Sequence, residues 1–179
     1  MFEEYVAPVT EFVRAHQAWA APIVGALAFA ESIAFLSLFV PAWGVLVAVG
    51  ALIGAGVLPF WSIWIAGAVG ATLGDWISYS IGYHFKDRVH HMWPLNKHPQ
   101  MLEKGEKFFH GWGALGVVVG RFFGPLRATV PLFAGIFEMP WLLFQLANFS
   151  SAFLWAAVLL APGAFGVDAF SRAKAALGF

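Results

Sequence analysis

The chain has 179 residues, of which 60% are hydrophobic and 11% charged, with ten basic and ten acidic side chains and a mean hydropathy of +0.75. Soluble domains carry about 25% charged residues, so the composition points to a single domain in a membrane, and zero net charge argues against a nucleic-acid partner, which wants a basic stripe. There is no cysteine, which excludes a disulfide framework, a thiolate nucleophile and a Cys-ligated metal.

Residues 1–17 mix Glu3, Glu4, Glu11 and Arg14 with Val6, Val9, Phe12 and Val13 at roughly helical spacing. This predicts a short interfacial amphipathic helix. The acidic start, with Pro8 before any long apolar run, does not read as a cleavable signal peptide. From Ala18 to Phe85 the only Asp, Glu, Lys or Arg residues are Glu31 and Asp75. A span needs about 20 apolar residues, so residues 18–85 hold several segments, divided by Pro22, Pro41 and Pro59. Residues 86–113 carry most of the Lys and His residues and form an aqueous loop with an amphipathic helix near 101–110. Its Lys/Arg excess puts it on the cytoplasmic side. The His90-His91 pair lacks a known zinc spacing and reads as solvated surface, so no metal or cofactor is expected. Residues 114–165 are apolar again, apart from Arg121, Arg127 and Glu138. Residues 166–179 form a short polar tail.

The two apolar regions resemble each other. Glu31 lies ten residues before Pro41, as Arg121 does before Pro131. Pro59-Phe60-Trp61 and Pro140-Trp141-Leu142 each begin a long span, and Gly82 and Gly163 sit equally deep in them. A weak repeat with Pro and Gly in matching places points to a transport site between two halves. Gly116, Gly120 and Gly124, like Gly70 and Gly74, are spaced by four, which favours close helix packing.

The richest stretch is Gly120-Arg121-Phe122-Phe123-Gly124-Pro125-Leu126-Arg127, followed by Pro131 and Ala134-Gly135. An arginine in hydrocarbon costs about 2.5–3.5 kcal/mol or more at mid-depth. Gly124, Pro125 and Pro131 break a continuous helix, and non-helical backbone survives at this depth only inside protein or beside water. These constraints predict a re-entrant hairpin that turns both guanidinium groups toward one site. Arginine suits bidentate contact with phosphate or carboxylate. The competing reading has the arginines snorkelling or paired for structure alone. Glu31 is expected to pair with Arg121 or Arg127, or to carry a proton. Asp75 lines a cavity with Ser78 or Tyr79, or sits near an interface. Asn148 and Gln145 are cavity or helix-bonding groups, and Glu138 is interfacial.

These residues resemble the DedA family of VTT-domain proteins over about residues 20–165. The carrying motif is Gly120, Arg121, Phe122, Pro125, Arg127, Pro131, Ala134 and Gly135, with the interval from proline to the second arginine one residue shorter than the family pattern. Glu31 before Pro41, the run Gly74, Asp75, Tyr79 and Gly82, and Trp155 support it. The resemblance implies an all-α integral membrane protein, with two opposed re-entrant helical hairpins among transmembrane helices of the cytoplasmic membrane. It implies translocation of a phosphate-bearing lipid, such as undecaprenyl phosphate or a phospholipid, with functional residues mapping to Glu31, Arg121 and Arg127. Pro41 is followed here by Ala42-Trp43-Gly44, so the second hairpin acid of many members is missing. The expected function is therefore a lipid transporter rather than an enzyme. The alternative is a proton- or sodium-coupled transporter of small ions or drugs. The aromatic surface permits a homodimer without requiring one.

Overall fold

A computed structural model describes residues 11, 15–33, 42–86, 99–123, 127 and 129–176. Among these the regular structure is helical: α1 (Gln17–Ser32), α2 (Ala42–Gly54), α3 (Phe60–Phe85), α4 (Pro99–Gly120), α5 (Thr129–Ile136) and α6 (Trp141–Ala176). The segment Trp141–Gly166 of α6 is long and apolar enough to cross a membrane. Most of the expected interfacial helix, and Pro41, Gly124, Pro125 and the histidine pair, lie outside the described residues.

The long helices α3 and α6 start where Pro59 and Pro140 predict. They lie antiparallel. At one end the rings of Phe60 and Phe165 meet at 5.9 Å. At the other the Tyr79 hydroxyl donates to the carbonyl of Met139, just before α6, at 2.6 Å. Midway, Asn148 Nδ2 donates to the carbonyl of Thr72 at 3.0 Å. Hydroxyls on these helices are satisfied internally: Thr72 bonds the carbonyl of Ala68, Ser80 that of Trp76 and Ser150 that of Leu146. Such back-bonding lets a polar side chain sit on an apolar helix without an orphaned donor.

Helix α1 runs parallel to α3, and small residues make the contact. Gly70 abuts the backbone of Gly25, and a Cβ at Gly74 would lie 2.7 Å from the Cβ of Ser32. Helix α2 packs on α6, and α5 packs on α3. The glycines match across these two contacts. Gly163 of α6 abuts Gly50 and Ala51, and Gly54 abuts Gly163. Gly82 of α3 abuts Leu132, and Gly135 abuts Tyr79 and Tyr83. Gln17, the first residue of α1, donates to the carbonyl of Val57 just past α2, at 2.7 Å. The α1–α2 segment thus begins and ends at one level. Helices α4 and α5 lie side by side. Gly120 touches Val130 near their connection, and Phe109 meets Phe137 farther back at 5.9 Å.

Four expectations change. Pro22 does not divide a segment: it sits in the second turn of α1, which runs on to Ser32. Pro131 does not break a hairpin either. It lies inside α5, as the third residue of Thr129–Ile136. The boundary expected at 113/114 is a kink within α4, at Gly113 with φ 47 and ψ −128. The tail is not separate at the backbone, because α6 continues to Ala176.

Candidate functional site

Among the described residues the apolar interior has two large clusters and a small one around Ile136. The first large cluster gathers Val24, Leu46, Ile63, Trp155 and Leu160, and the second Tyr79, Val117, Val130 and Phe144. Along α3, Asp75 falls between Ala71 of the first cluster and Tyr79 of the second. Along α6, Asn148 and Ser151 fall between Ala147 of the second and Ala152 of the first. The charges sit at this seam. Arg121 is 4% exposed, Arg127 6%, Glu31 8% and Asp75 1%. At this depth no charge survives unpaired, and each has a partner.

From sequence alone Glu31 has two candidate partners. The structure pairs it with Arg127, whose Nη1 donates to Glu31 Oε1 at 2.8 Å. Arg127 Nη2 donates to Ser32 Oγ at 2.9 Å, and its guanidinium lies 3.9 Å from the centre of the Trp155 ring. Arg121 is paired with Asp75 through Nη2. Its Nε donates to Ser151 Oγ at 2.9 Å, and Nη2 also donates to Asn148 Oδ1 at 2.6 Å. Asp75 is therefore a member of the buried charge cluster. Ser78 lies beside it but bonds the carbonyls of Ser32 and Gly74, joining α1 to α3. Asn148 accepts from Arg121 and ties α6 to α3, which is the helix-bonding one of its two expected roles. Glu138 is exposed and paired with Lys86, apart from the buried charges.

Both arginines leave the α4–α5 connection and reach different helices. Arg121 is held by α3 and α6, and Arg127 by α1 and α6. The cluster balances two positive against two negative charges. Each member keeps one polar side-chain atom without a hydrogen-bond partner among the described residues: Arg121 Nη1, Arg127 Nε, Asp75 Oδ1 and Glu31 Oε2. Two free donors and two free acceptors therefore sit inside a neutral, buried network. A cavity of about 420 Å³ lies elsewhere, toward the Lys86–Glu138 end, lined by Glu106, Phe109, Gly113, Phe137 and Leu143 among others. None of the four buried charges lines it.

Ser32 and Ser151 escape a reading of the sequence. A serine on an apolar helix is common, and only the meeting with an arginine distinguishes these two. Ser151 had one available signal: three residues after Asn148, it lies on the same helix face.

The helical architecture and the apolar span are those of the membrane-protein class, and the relatives this chain matches are named as membrane proteins. The model of the VTT domain matches residues 40–165, and the chain belongs to that family, the DedA proteins. It is 39% identical over 137 residues to the inner membrane protein YabI of Escherichia coli, covering 76% of this chain and 54% of that one. It is 37% identical over 141 residues to a membrane protein of Buchnera aphidicola subsp. Schizaphis graminum, covering 79% of this chain and 56% of the relative. To the inner membrane protein YqjA of Escherichia coli it is 29% identical over 126 residues, covering 70% and 57%. The chain thus spans little more than half the length of these relatives. No solved structure matches it.

Proposed function

We propose that the protein carries a phosphate-bearing lipid, such as undecaprenyl phosphate or a phospholipid, across the cytoplasmic membrane. In this reading Arg121 and Arg127 receive the head group, and Asp75 and Glu31 hold them when the site is empty. The observation that carries it is the pair of buried arginines on one connection, each with one guanidinium nitrogen lacking a partner among the described residues. A phosphate oxygen fits a guanidinium N–H better than any neutral group does. The protein acts as a transporter and not as an enzyme. Membrane lipids are its partners, and a homodimer is compatible with its aromatic surface.

The architecture proposed with it is an inverted repeat of two re-entrant helical hairpins, α1–α2 and α4–α5, each lodged against the long helix of the other half. Three facts support it. Gln17 and Val57 meet across the base of the first hairpin. The Glu31–Arg127 pair joins the last turn of α1 to the α4–α5 connection. The contacts of α2 on α6 and of α5 on α3 also share one offset, since 81 residues separate Gly54 from Gly135 and Gly82 from Gly163.

The test is translocation of a fluorescent polyprenyl phosphate by purified protein in vesicles. Arg127→Lys is the informative variant. It keeps the charge that Glu31 needs but loses the fork, whereas charge reversal would bury two carboxylates together. Losing a charged hydrogen bond of about 1.5–3 kcal/mol predicts a fall of roughly ten- to a hundredfold. Any dependence of wild-type transport on pH is expected to disappear in Glu31→Gln. An inactive wild type, or a fully active Arg127→Lys, would sink the reading.

The free oxygens of Glu31 and Asp75 favour one alternative, a proton- or sodium-coupled carrier of small ions or drugs. That reading requires flux of a small solute to follow the ion gradient and to stop in Glu31→Gln.

A further inference from the structure

The offset of 81 residues that aligns the glycines of the two halves also aligns one face of α3 with one face of α6. Gly67, Gly70 and Gly74 of α3 correspond to Asn148, Ser151 and Trp155 of α6. The two faces do different work. On α3 the small residues admit α1: Gly67 faces Val24, Gly70 the backbone of Gly25, and Gly74 the Phe29 carbonyl and Ser32. On α6 the same positions hold guanidinium groups. Asn148 and Ser151 accept from Arg121, and the Trp155 ring lies under Arg127. A face that is a packing groove in one half is filled with polar and aromatic side chains in the other.

We propose that this face of α6 is a cradle that aims both arginines, and that Trp155 is the positioning residue for Arg127. The proposal rests on the transport reading above, which makes the arginines head-group ligands. Asn148 and Ser151 occupy Nε and Nη2 of Arg121, leaving Nη1 free. Glu31 and Ser32 occupy Nη1 and Nη2 of Arg127, leaving Nε free. The ring fixes the remaining freedom of Arg127, rotation of the guanidinium plane. A flat ring face suits a planar cation and blocks one side of it. A head group then meets Arg127 only at its edge. Trp155 is itself locked, 4% exposed within the first apolar cluster.

The experiment compares wild type, Trp155→Phe and Trp155→Leu. The first measurement is the Arg127 Nε–H proton resonance in nitrogen-labelled protein in detergent micelles, assigned by its loss in Arg127→Lys. The ring current should displace it upfield in wild type, largely retain that shift in Trp155→Phe and abolish it in Trp155→Leu. The second is transport in vesicles of phosphatidylcholine with a graded fraction of fluorescent polyprenyl phosphate. Loss of the ring should raise the half-saturating fraction about three- to tenfold with the maximal rate per folded protein unchanged, and Trp155→Phe should restore most of the affinity. A merely structural tryptophan would lower the amount of active protein and leave half-saturation where it was. The resonance does not need transport, so an inactive wild type with a displaced resonance would count against the transport reading and not against the cradle. An undisplaced wild-type resonance, or unchanged half-saturation in folded Trp155→Leu, would overturn the cradle. Should Trp155→Leu fail to fold, the wild-type resonance and Trp155→Phe decide it.

Discussion

Asp75 and Arg121 bury almost their whole side chains in contact with each other, 2% exposed on either partner. The attraction within such a pair scarcely exceeds the cost of taking both ions out of water, so the pair is a weak source of stability. Removing one partner is a different matter, because the other charge then stays buried and uncompensated. Asp75→Asn should cost about 3–5 kcal/mol, and Asp75→Asn combined with Arg121→Gln should recover more than half of that. Unfolding of the purified variants in mixed micelles reads both, and strictly additive effects would show that the two are not coupled. That these residues matter was legible in the sequence, because any charge in an 11% charged, apolar chain demands a reason. Which acid meets which arginine was not. Asp75 and Arg121 are 46 positions apart and Glu31 and Arg127 are 96 apart, and such pairings are decided by how the helices dock.

Docking at the level of elements is governed by glycine. The ideal Cβ of Gly50 would lie 2.7 Å from the carbonyl oxygen of Leu160, well inside van der Waals contact, and Gly82 and Gly163 are crowded more closely still by opposing backbone. Alanine at any of these three should cost about 1–3 kcal/mol through overpacking. Gly44 of α2 and Gly166 of α6 face open space. Alanine there should leave stability unchanged or raise it by up to about 1 kcal/mol, because glycine weakens a helix interior. Thermal unfolding of the five variants makes the comparison, and uniform effects across both groups would refute packing as the reason for the first. Gly113 is a third kind of glycine. It too faces open space, but φ 47 with ψ −128 is a conformation that other residues avoid, so Gly113→Ala should destabilise through the backbone alone. Spacing by four marked Gly70 and Gly74 correctly as packing positions. It was less informative for Gly116, whose near neighbour is Phe108 of the same helix across the kink. The prolines show the opposite limit. Pro59 and Pro140 announced helix starts, while Pro22 and Pro131 lie within helices, and Pro22, in the second turn of α1, forgoes the bond an N–H there would make to the Ala18 carbonyl.

On the scale of the whole molecule, α3 and α6 fix the depth of the charges. A helix rises about 1.5 Å per residue. Asn148, Ser151 and Trp155 therefore stand roughly 10, 15 and 21 Å along α6 from Trp141, on a path to Phe165 of roughly 36 Å. That is near the middle of a span whose hydrocarbon core is about 30 Å thick, where a head group is farthest from either surface. The correspondence of Pro59 with Pro140 and of Gly82 with Gly163 was visible in the sequence. The shared offset of the inter-half contacts was not, because it appears only when α2 and α5 are seen on the opposite long helices. The antiparallel α3 and α6 also predict sidedness. Ser62, exposed in the first turn of α3, and Lys107, exposed on α4 near the Lys86–Glu138 end, should face opposite sides, with Lys107 cytoplasmic if the basic connector follows the positive-inside rule. The chain has no cysteine to interfere. An impermeant thiol reagent applied to intact cells should label Ser62→Cys, and should label Lys107→Cys only after permeabilisation. Labelling of both from one side would mean that α3 does not cross the bilayer, and the charges would then lie too near a surface to serve as a carrier site between its two faces.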